Sequence, residues 1–213
     1  VPMCWQMALG RGYDVPNYLN NGFQIPVDPP YVPDDNPCGI YEREFELAEK
    51  WGKVYFVFEG VSSCAYLYIN GQYVGFTQGS HLQAEFDITD FVHPGTNTVR
   101  VKVLKWCCGS YLEDQDFFRY TGVARDCYLY ARNKTQIQDI RITPDLDAEY
   151  KNATLAVELT MKGSGTVDLE LLDAKNQVVA LETVKASGKK TYTLNVENPA
   201  KWTAETPNLY TLR

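Results

Sequence analysis

Up to residue 132 the apolar positions of this chain recur mainly with a period of two, and no segment there sustains the period of a long amphipathic helix. Residues 41–47 (YEREFEL) alternate apolar and polar side chains, which predicts a strand with one buried face. Residues 53–59 (KVYFVFE) are more uniformly apolar, as a core strand would be. Segments 65–69 and 72–76 flank Asn70-Gly71, a dipeptide that readily takes positive φ, so the spacing predicts a hairpin with a type I′ turn. A short strand is expected at 85–88. Residues 89–92 lead to a Pro94-Gly95 turn, 97–104 alternate cleanly, and 127–131 give another strand. Short strands about 8–12 residues apart, separated by turn signals, predict an antiparallel sandwich.

Two flanking regions differ. Residues 1–39 carry no sustained period, and Pro26, Pro29, Pro30, Pro33 and Pro37 remove backbone donors and fix φ. They predict an extended, irregular arm laid across something else. Trp5, Tyr13, Tyr18, Phe23, Ile25 and Tyr31 weigh against a disordered tail. After residue 132 aromatics thin out and Lys and Thr rise. Simpler strands are expected at 136–143, 152–161, 165–172, 178–184 and 190–196, with a turn at 173–177 and the start of another strand at 207–212. Five to six strands there suit an immunoglobulin-like sandwich. The expectation is an all-β chain of two domains, 1–132 and 133–213, the second incomplete because the chain stops inside its last strand.

Composition narrows the function. The chain has 213 residues, 45% of them hydrophobic, and a formal charge of −7. That acidic balance argues against nucleic acid or an anionic membrane as partner, since both need clustered Lys and Arg. No apolar run approaches the roughly 20 residues that span a bilayer. The first residue is Val1 rather than Met, so an upstream signal could have been lost. Cys4, Cys38, Cys64, Cys107, Cys108 and Cys127 show no CxxC spacing, and with only His81 and His93 beside them a zinc site is not expected. They read as free thiols in a reducing, cytoplasmic setting, several acting as small buried hydrophobes. In that setting the glycosylation patterns at Asn133 and Asn152 are idle.

The richest stretch is 105–126. Between two strand patterns it holds Glu113, Asp114 and Asp116, with Arg119, Arg125, Gly109 and Gly122 and five aromatic residues. A loop this long in a compact domain is usually functional. Mixed carboxylates and aromatics suit a ligand with hydroxyls on one side and C–H faces on the other. The competing reading is a solvated acidic turn.

Several motifs in order resemble the β-galactosidases of glycoside hydrolase family 2. They are Trp5-Gln6-Met7, Gly12-Tyr13-Asp14-Val15-Pro16, Tyr18-Leu19-Asn20, Pro29-Pro30-Tyr31-Val32-Pro33, Asn70-Gly71-Gln72-Tyr73-Val74-Gly75 and Gln78-Gly79-Ser80. Further along come Gly109-Ser110-Tyr111-Leu112-Glu113-Asp114-Gln115-Asp116 and Asn195-Val196-Glu197-Asn198-Pro199 with Trp202. The resemblance implies a jelly-roll sugar-binding domain followed by an immunoglobulin-like domain. It also implies that the catalytic glutamates lie in a (β/α)₈ barrel absent from this chain, so that no catalytic residue falls here. By position, Asn20 corresponds to a residue touching the galactosyl group, and Asp116 to an aspartate that binds galactose hydroxyls and helps ligate sodium. Some members place a magnesium-linked acidic residue just before the Gly-Ser of this loop. Here that position is Cys108, and Gln78 matches a neighbouring position without an acidic partner, so the magnesium pattern is broken. The implied partners are a β-galactoside, the barrel of the same chain and, at full length, further copies in a homo-oligomer.

The residues support that division of labour. Retaining glycosidases set two carboxylates about 5–5.5 Å apart across the scissile bond. Glu113, Asp114 and Asp116 would approach from one side, so they do not read as the hydrolytic pair. Glu113 and Asp114 are expected to pair with Arg119 or Arg125, or to accept backbone N–H bonds, holding the loop so that Asp116 points correctly. Trp106, Phe117, Phe118 and Tyr120 read as core or interface packing, and the histidines as surface residues. Two functions stay open: the non-catalytic N-terminal portion of a β-galactosidase, or a free-standing carbohydrate-binding module of jelly-roll type.

Overall fold

Asn70 and Gly71 sit at φ 51° and 79°, the left-handed values that the hairpin dipeptide predicts. The computed structural model describes residues 3–8, 10–19, 22, 24–48, 52–113 and 116–213. The chain divides into two compact units, Val1–Arg132 and Asn133–Arg213. Strands of the first unit run β1 (Met3–Cys4), β2 (Asn17–Leu19), β3 (Cys38–Leu47), β4 (Lys53–Phe58), β5 (Val61–Ser62) and β6 (Cys64–Ile69). They continue with β7 (Gln72–Gln78), β8 (Ala84–Asp87), β9 (Gly95–Leu104), β10 (Phe117–Arg119), β11 (Gly122–Val123) and β12 (Cys127–Arg132).

This unit is a jelly-roll sandwich. One sheet is ordered β3-β9-β6-β7 and the other β12-β4-β8, with antiparallel pairing throughout. Alternation along β6 and β9 sends Ala65, Leu67, Ile69, Val101 and Val103 to a core shared with Val54, Phe56 and Phe58 of β4.

The proline-rich arm is laid across its own jelly roll, and it is less irregular than its sequence predicts. β1 pairs with β11, which pairs with β5, and β2 pairs with β10. Two- and three-residue strands carry no readable period, which is why the pattern missed them. Trp5 is buried, and its N–H donates to Thr121 O at 3.1 Å. Gln6 is 1% exposed and accepts the Thr121 N–H at 2.9 Å. Lys105 reaches Asp14 at 2.7 Å, where the carboxylate also accepts from Gln6 Nε2 (3.1 Å) and Trp5 Nε1 (3.4 Å). Asn36 brackets the peptide of Trp106 with two 2.9 Å bonds.

The second unit is an immunoglobulin-like sandwich built from β13 (Gln136–Leu146), β14 (Ala153–Leu172), β15 (Val178–Val196) and β16 (Thr211–Leu212). The five to six strands expected are four, because 152–161 runs on into 165–172 and 178–184 into 190–196. The β14–β15 register jumps from Thr160↔Lys189 to Ser164↔Ser187, with Gly163 and Gly188 at positive φ. A straight strand would set Leu155 and Leu171 roughly 50 Å apart. Both belong to one core and line one apolar cavity, so the ribbon bends at this bulge.

Candidate carbohydrate site on the jelly-roll loop

The loop leaves β9 at Lys105, whose N–H donates to Pro37 O at 2.9 Å. A short 3-10 turn, Cys108–Leu112, follows, with the Cys107 N–H donating to Ser110 Oγ at 3.1 Å. Beneath it Cys64 and Cys107 form a buried pair, in which the interaction with Cys64 and the Ser110 bonds hold the Cys107 thiol below its ordinary value while the Cys64 thiol is pushed up. All six cysteines are free thiols, with Cys64 and Cys107 buried and Cys38 and Cys108 exposed.

Glu113 closes the turn. Its carboxylate accepts the Ser80 N–H at 2.8 Å and the Ser80 hydroxyl at 2.6 Å, and Ser80 is 5% exposed. Of the two partners expected for Glu113, an arginine or a backbone N–H, these bonds show the backbone N–H. Arg125 Nη1 instead donates to the carbonyls of Glu59 (3.5 Å) and His81 (3.4 Å). The Arg119 guanidinium lies 5.0 Å from the Phe117 ring centroid. Asp114 and Asn20 lie outside the described residues.

Asp116 is exposed at the entry to β10, and its Oδ1 accepts the Tyr18 hydroxyl at 2.6 Å. The hydrogen bond to Asp116 raises the Tyr18 phenol, with burial and the carboxylate's charge adding to it, so Tyr18 stays a donor. Tyr18 faces Phe118 across the β2–β10 register, with ring centroids 5.2 Å apart. Phe118 stacks in turn on Tyr120 at 5.8 Å and 27°. Phe117 takes the opposite face and meets the His81 ring edge-on at 5.9 Å. Trp106 is buried, as its packing role predicts, but Phe118 is 51% exposed and is not core.

The cation expectations divide here. An exposed carboxylate is a hard oxygen donor, so the chemistry of Asp116 is of the kind a sodium ion takes. Among the described residues no group of three or more His, Cys, Asp or Glu could hold a metal alone. The magnesium position does not fit. Cys108 Sγ donates to Gln78 Oε1 at 3.3 Å, and a neutral thiol is a poor ligand for a cation that demands hard oxygens. Tyr18, Ser80 and Asp14 lie in the family-like motifs and Lys105 heads the loop, but the sequence assigns none of them its part in holding the site. Their partners lie 33 to 98 residues away, and no local spacing marks them.

Residues 1–133 match the sugar binding domain of glycosyl hydrolases family 2, and residues 135–213 match a second model described as glycosyl hydrolases family 2. The chain is 41% identical over 229 residues to a beta-galactosidase of Enterobacter cloacae, covering 100% of this chain and 22% of that protein. It is 42% identical over 213 residues to a beta-galactosidase of Actinobacillus pleuropneumoniae, covering 100% of this chain and 20% of that protein. The chain thus spans about a fifth of the length of these curated relatives. A solved β-glucuronidase from Ruminococcus gnavus in complex with D-glucaro-d-lactam has a similar fold. Its TM-score is 0.67 at 24% identity over 81% of this chain and 32% of that one. With both of its units matched in chain order, this chain belongs to glycosyl hydrolases family 2.

Proposed function

We propose that this chain is the non-catalytic N-terminal part of a retaining β-galactosidase. Its jelly-roll loop completes the galactose subsite and a sodium site, while the catalytic glutamates reside in a (β/α)₈ barrel of the same polypeptide. The observation that carries this reading is the 41–42% identity, along the whole of this chain, to two β-galactosidases. The geometry supports the role of Asp116. An ionised carboxylate accepts strongly from sugar hydroxyls, and the Tyr18 bond fixes its rotation before substrate arrives. Both oxygens of Glu113 are taken up by Ser80, which supports scaffolding rather than acid–base work for that residue. Asn20, directly after β2 in sequence, is proposed as the second galactosyl contact, with its amide able both to donate and to accept. A bound sodium ion would gather hard oxygens from Asp116, the barrel and the substrate. The proposed setting is a cytoplasmic homo-oligomer. The free thiols suit a reducing compartment.

In the whole protein that carries this chain, Asp116→Ala is expected to lower galactoside kcat/KM about 10–100-fold, the loss of one charged hydrogen bond. It should also weaken activation by sodium. Sodium dependence unchanged in that variant rejects the metal role. The purified chain alone is expected to leave a chromogenic β-galactoside intact. Turnover by the chain alone, lost on Asp116→Ala, overturns the assignment of catalysis to the barrel.

A further inference from the structure

Cys64 and Cys107 meet from separate elements. Cys64 opens β6, opposite Leu104 at the end of β9. Beyond Leu104 the chain runs along the residue before Cys64. Ser63 Oγ donates to Lys105 O at 2.7 Å, and Cys107 Sγ approaches Ser63 O at 3.8 Å. That path lays the Cys107 side chain beside Cys64, and both are buried, at 8% and 1% exposure. Cys107 also heads the turn Cys108–Leu112 and exchanges bonds with Ser110. Its sulfur accepts the Ser110 N–H, and its own N–H reaches Ser110 Oγ at 3.1 Å. The other thiols are placed differently. Cys108 is exposed and donates to Gln78 Oε1 at 3.3 Å, Cys38 is exposed, and burial pushes the Cys4 and Cys127 thiols up, the latter to about 11.

We propose that Cys64 and Cys107 are a redox-responsive pair, which a peroxide closes into a disulfide that loosens the turn presenting Glu113. The Cys107 thiolate attacks one peroxide oxygen, the O–O bond breaks and hydroxide leaves, giving a sulfenic acid. The Cys64 sulfur then attacks the Cys107 sulfur. The S–O bond breaks, and the hydroxyl leaves with the Cys64 proton as water. Peroxide gains the two electrons that the thiols lose. Three features select this pair. The interaction with Cys64 and the Ser110 bonds favour the thiolate of Cys107, which is the nucleophile. Cys64 already stands beside it to capture the intermediate. Cys108, exposed where Cys107 is buried, turns away from its neighbour and does not compete. The consequence follows from the bonds that closure removes. A disulfide sulfur carries no charge and accepts weakly, so the Ser110 N–H loses its partner. The same turn delivers Glu113 to the Ser80 N–H and hydroxyl, and Asp116 follows it in sequence. Only the effect on sugar turnover rests on the galactoside reading above. A reducing compartment reopens the bond, so the pair reports a transient oxidant.

The test treats the whole protein with hydrogen peroxide and maps disulfides by mass spectrometry of unreduced peptides. The expected product is a Cys64–Cys107 cross-link that dithiothreitol reverses. Absence of that cross-link, with both thiols still open to alkylation after unfolding, overturns the proposal. Amide hydrogen exchange at residues 109–113 is expected to quicken about fivefold on oxidation, the order of one lost hydrogen bond. Galactoside kcat/KM should fall in parallel. Exchange unchanged in the cross-linked protein overturns the control of the turn. Quickened exchange with turnover intact leaves the switch standing and removes the loop from galactose binding. Cys64→Ala, which keeps the Cys107–Ser110 bonds, should retain basal turnover and lose both responses to peroxide. Cys108→Ser should keep them, and a response lost with Cys108 overturns the pair. If Cys64→Ala fails to fold, the peptide map of the unaltered protein still decides.

Discussion

Lys105→Met is expected to cost the unit Val1–Arg132 about 3–5 kcal/mol of stability, the usual penalty for breaking a buried ion pair by removing one partner. The side chains of Lys105 and Asp14 are only 6% and 14% exposed. Met fills the alkyl volume of Lys but leaves the Asp14 carboxylate facing Gln6 and Trp5 as its remaining side-chain donors. Asp14→Leu combined with Lys105→Met should recover part of the loss, because two apolar residues leave no orphaned charge. A double variant no more stable than Lys105→Met would show that packing, not charge, dominates the pair.

The pH dependence separates these cases further. Burial raises the Asp14 carboxyl, but the Lys105 bond, the Val15 N–H and Gln6 outweigh it and hold the group below its ordinary value. A lowered folded pKa gives stability that is present above the unfolded value of about 3.9 and lost as pH falls through the folded one. Without Lys105 the burial contribution stands with fewer opponents, so the variant's deficit should narrow as the pH falls below about 4. Urea midpoints at several pH values measure this. A deficit that widens toward low pH would contradict it.

Strand periodicity carried much of the architecture because it is local. The Asn70-Gly71 hairpin and the alternating strands β3 and β9 are written in neighbouring residues. Asp116 stands out in the sequence for a different reason, the resemblance of its loop to a family, while the bond Tyr18 makes to it is not written in any local pattern. Phe118 reads in the sequence as core or interface packing, and its exposure removes only the core half, since composition does not say which face of a three-residue strand meets solvent. The fused strands β14 and β15 escaped because the polar, glycine-containing stretch at each bend resembles a turn, although pairing continues around the bulge. The arm was legible as an extended segment laid across something else, but its partners were not. Its contacts to the loop join residues up to 115 positions apart, through side chains whose types are common in any exposed segment.

That arm is what shapes the candidate site. Tyr18, which orients Asp116, belongs to β2, and its neighbours in sequence are held to the jelly roll by Asp14, Trp5 and β1. Changes that lift the arm should therefore disturb Asp116 without touching the loop's own sequence.

Gly122→Ala is the sharpest such change, with an expected loss of about 3 kcal/mol or more. Gly122 has φ 139°, a conformation that L side chains rarely adopt. A Cβ there would also lie 2.7 Å from Met3 O and 2.9 Å from Cys4 Cα, and would press on the Tyr41 hydroxyl. Two of these neighbours are backbone of β1 and cannot give way without breaking the β1–β11 pairing. Tyr41 is itself held, donating to Met3 O at 2.7 Å, with its phenol pushed up to about 12 by burial. Gly71→Ala supplies the comparison, because φ there is 79° and nothing lies within 4 Å of an added Cβ. It should cost only the roughly 1–2 kcal/mol of a left-handed residue. Urea unfolding compares the two, and Trp5 emission, buried at 8% exposure in the native chain, should shift to the red in Gly122→Ala alone. Equal losses in both variants would show that the arm yields freely. Undocking it would then relax the Tyr18–Asp116 bond, so Gly122→Ala in the whole protein should weaken sodium activation in the same direction as Asp116→Ala, through the arm and not the carboxylate.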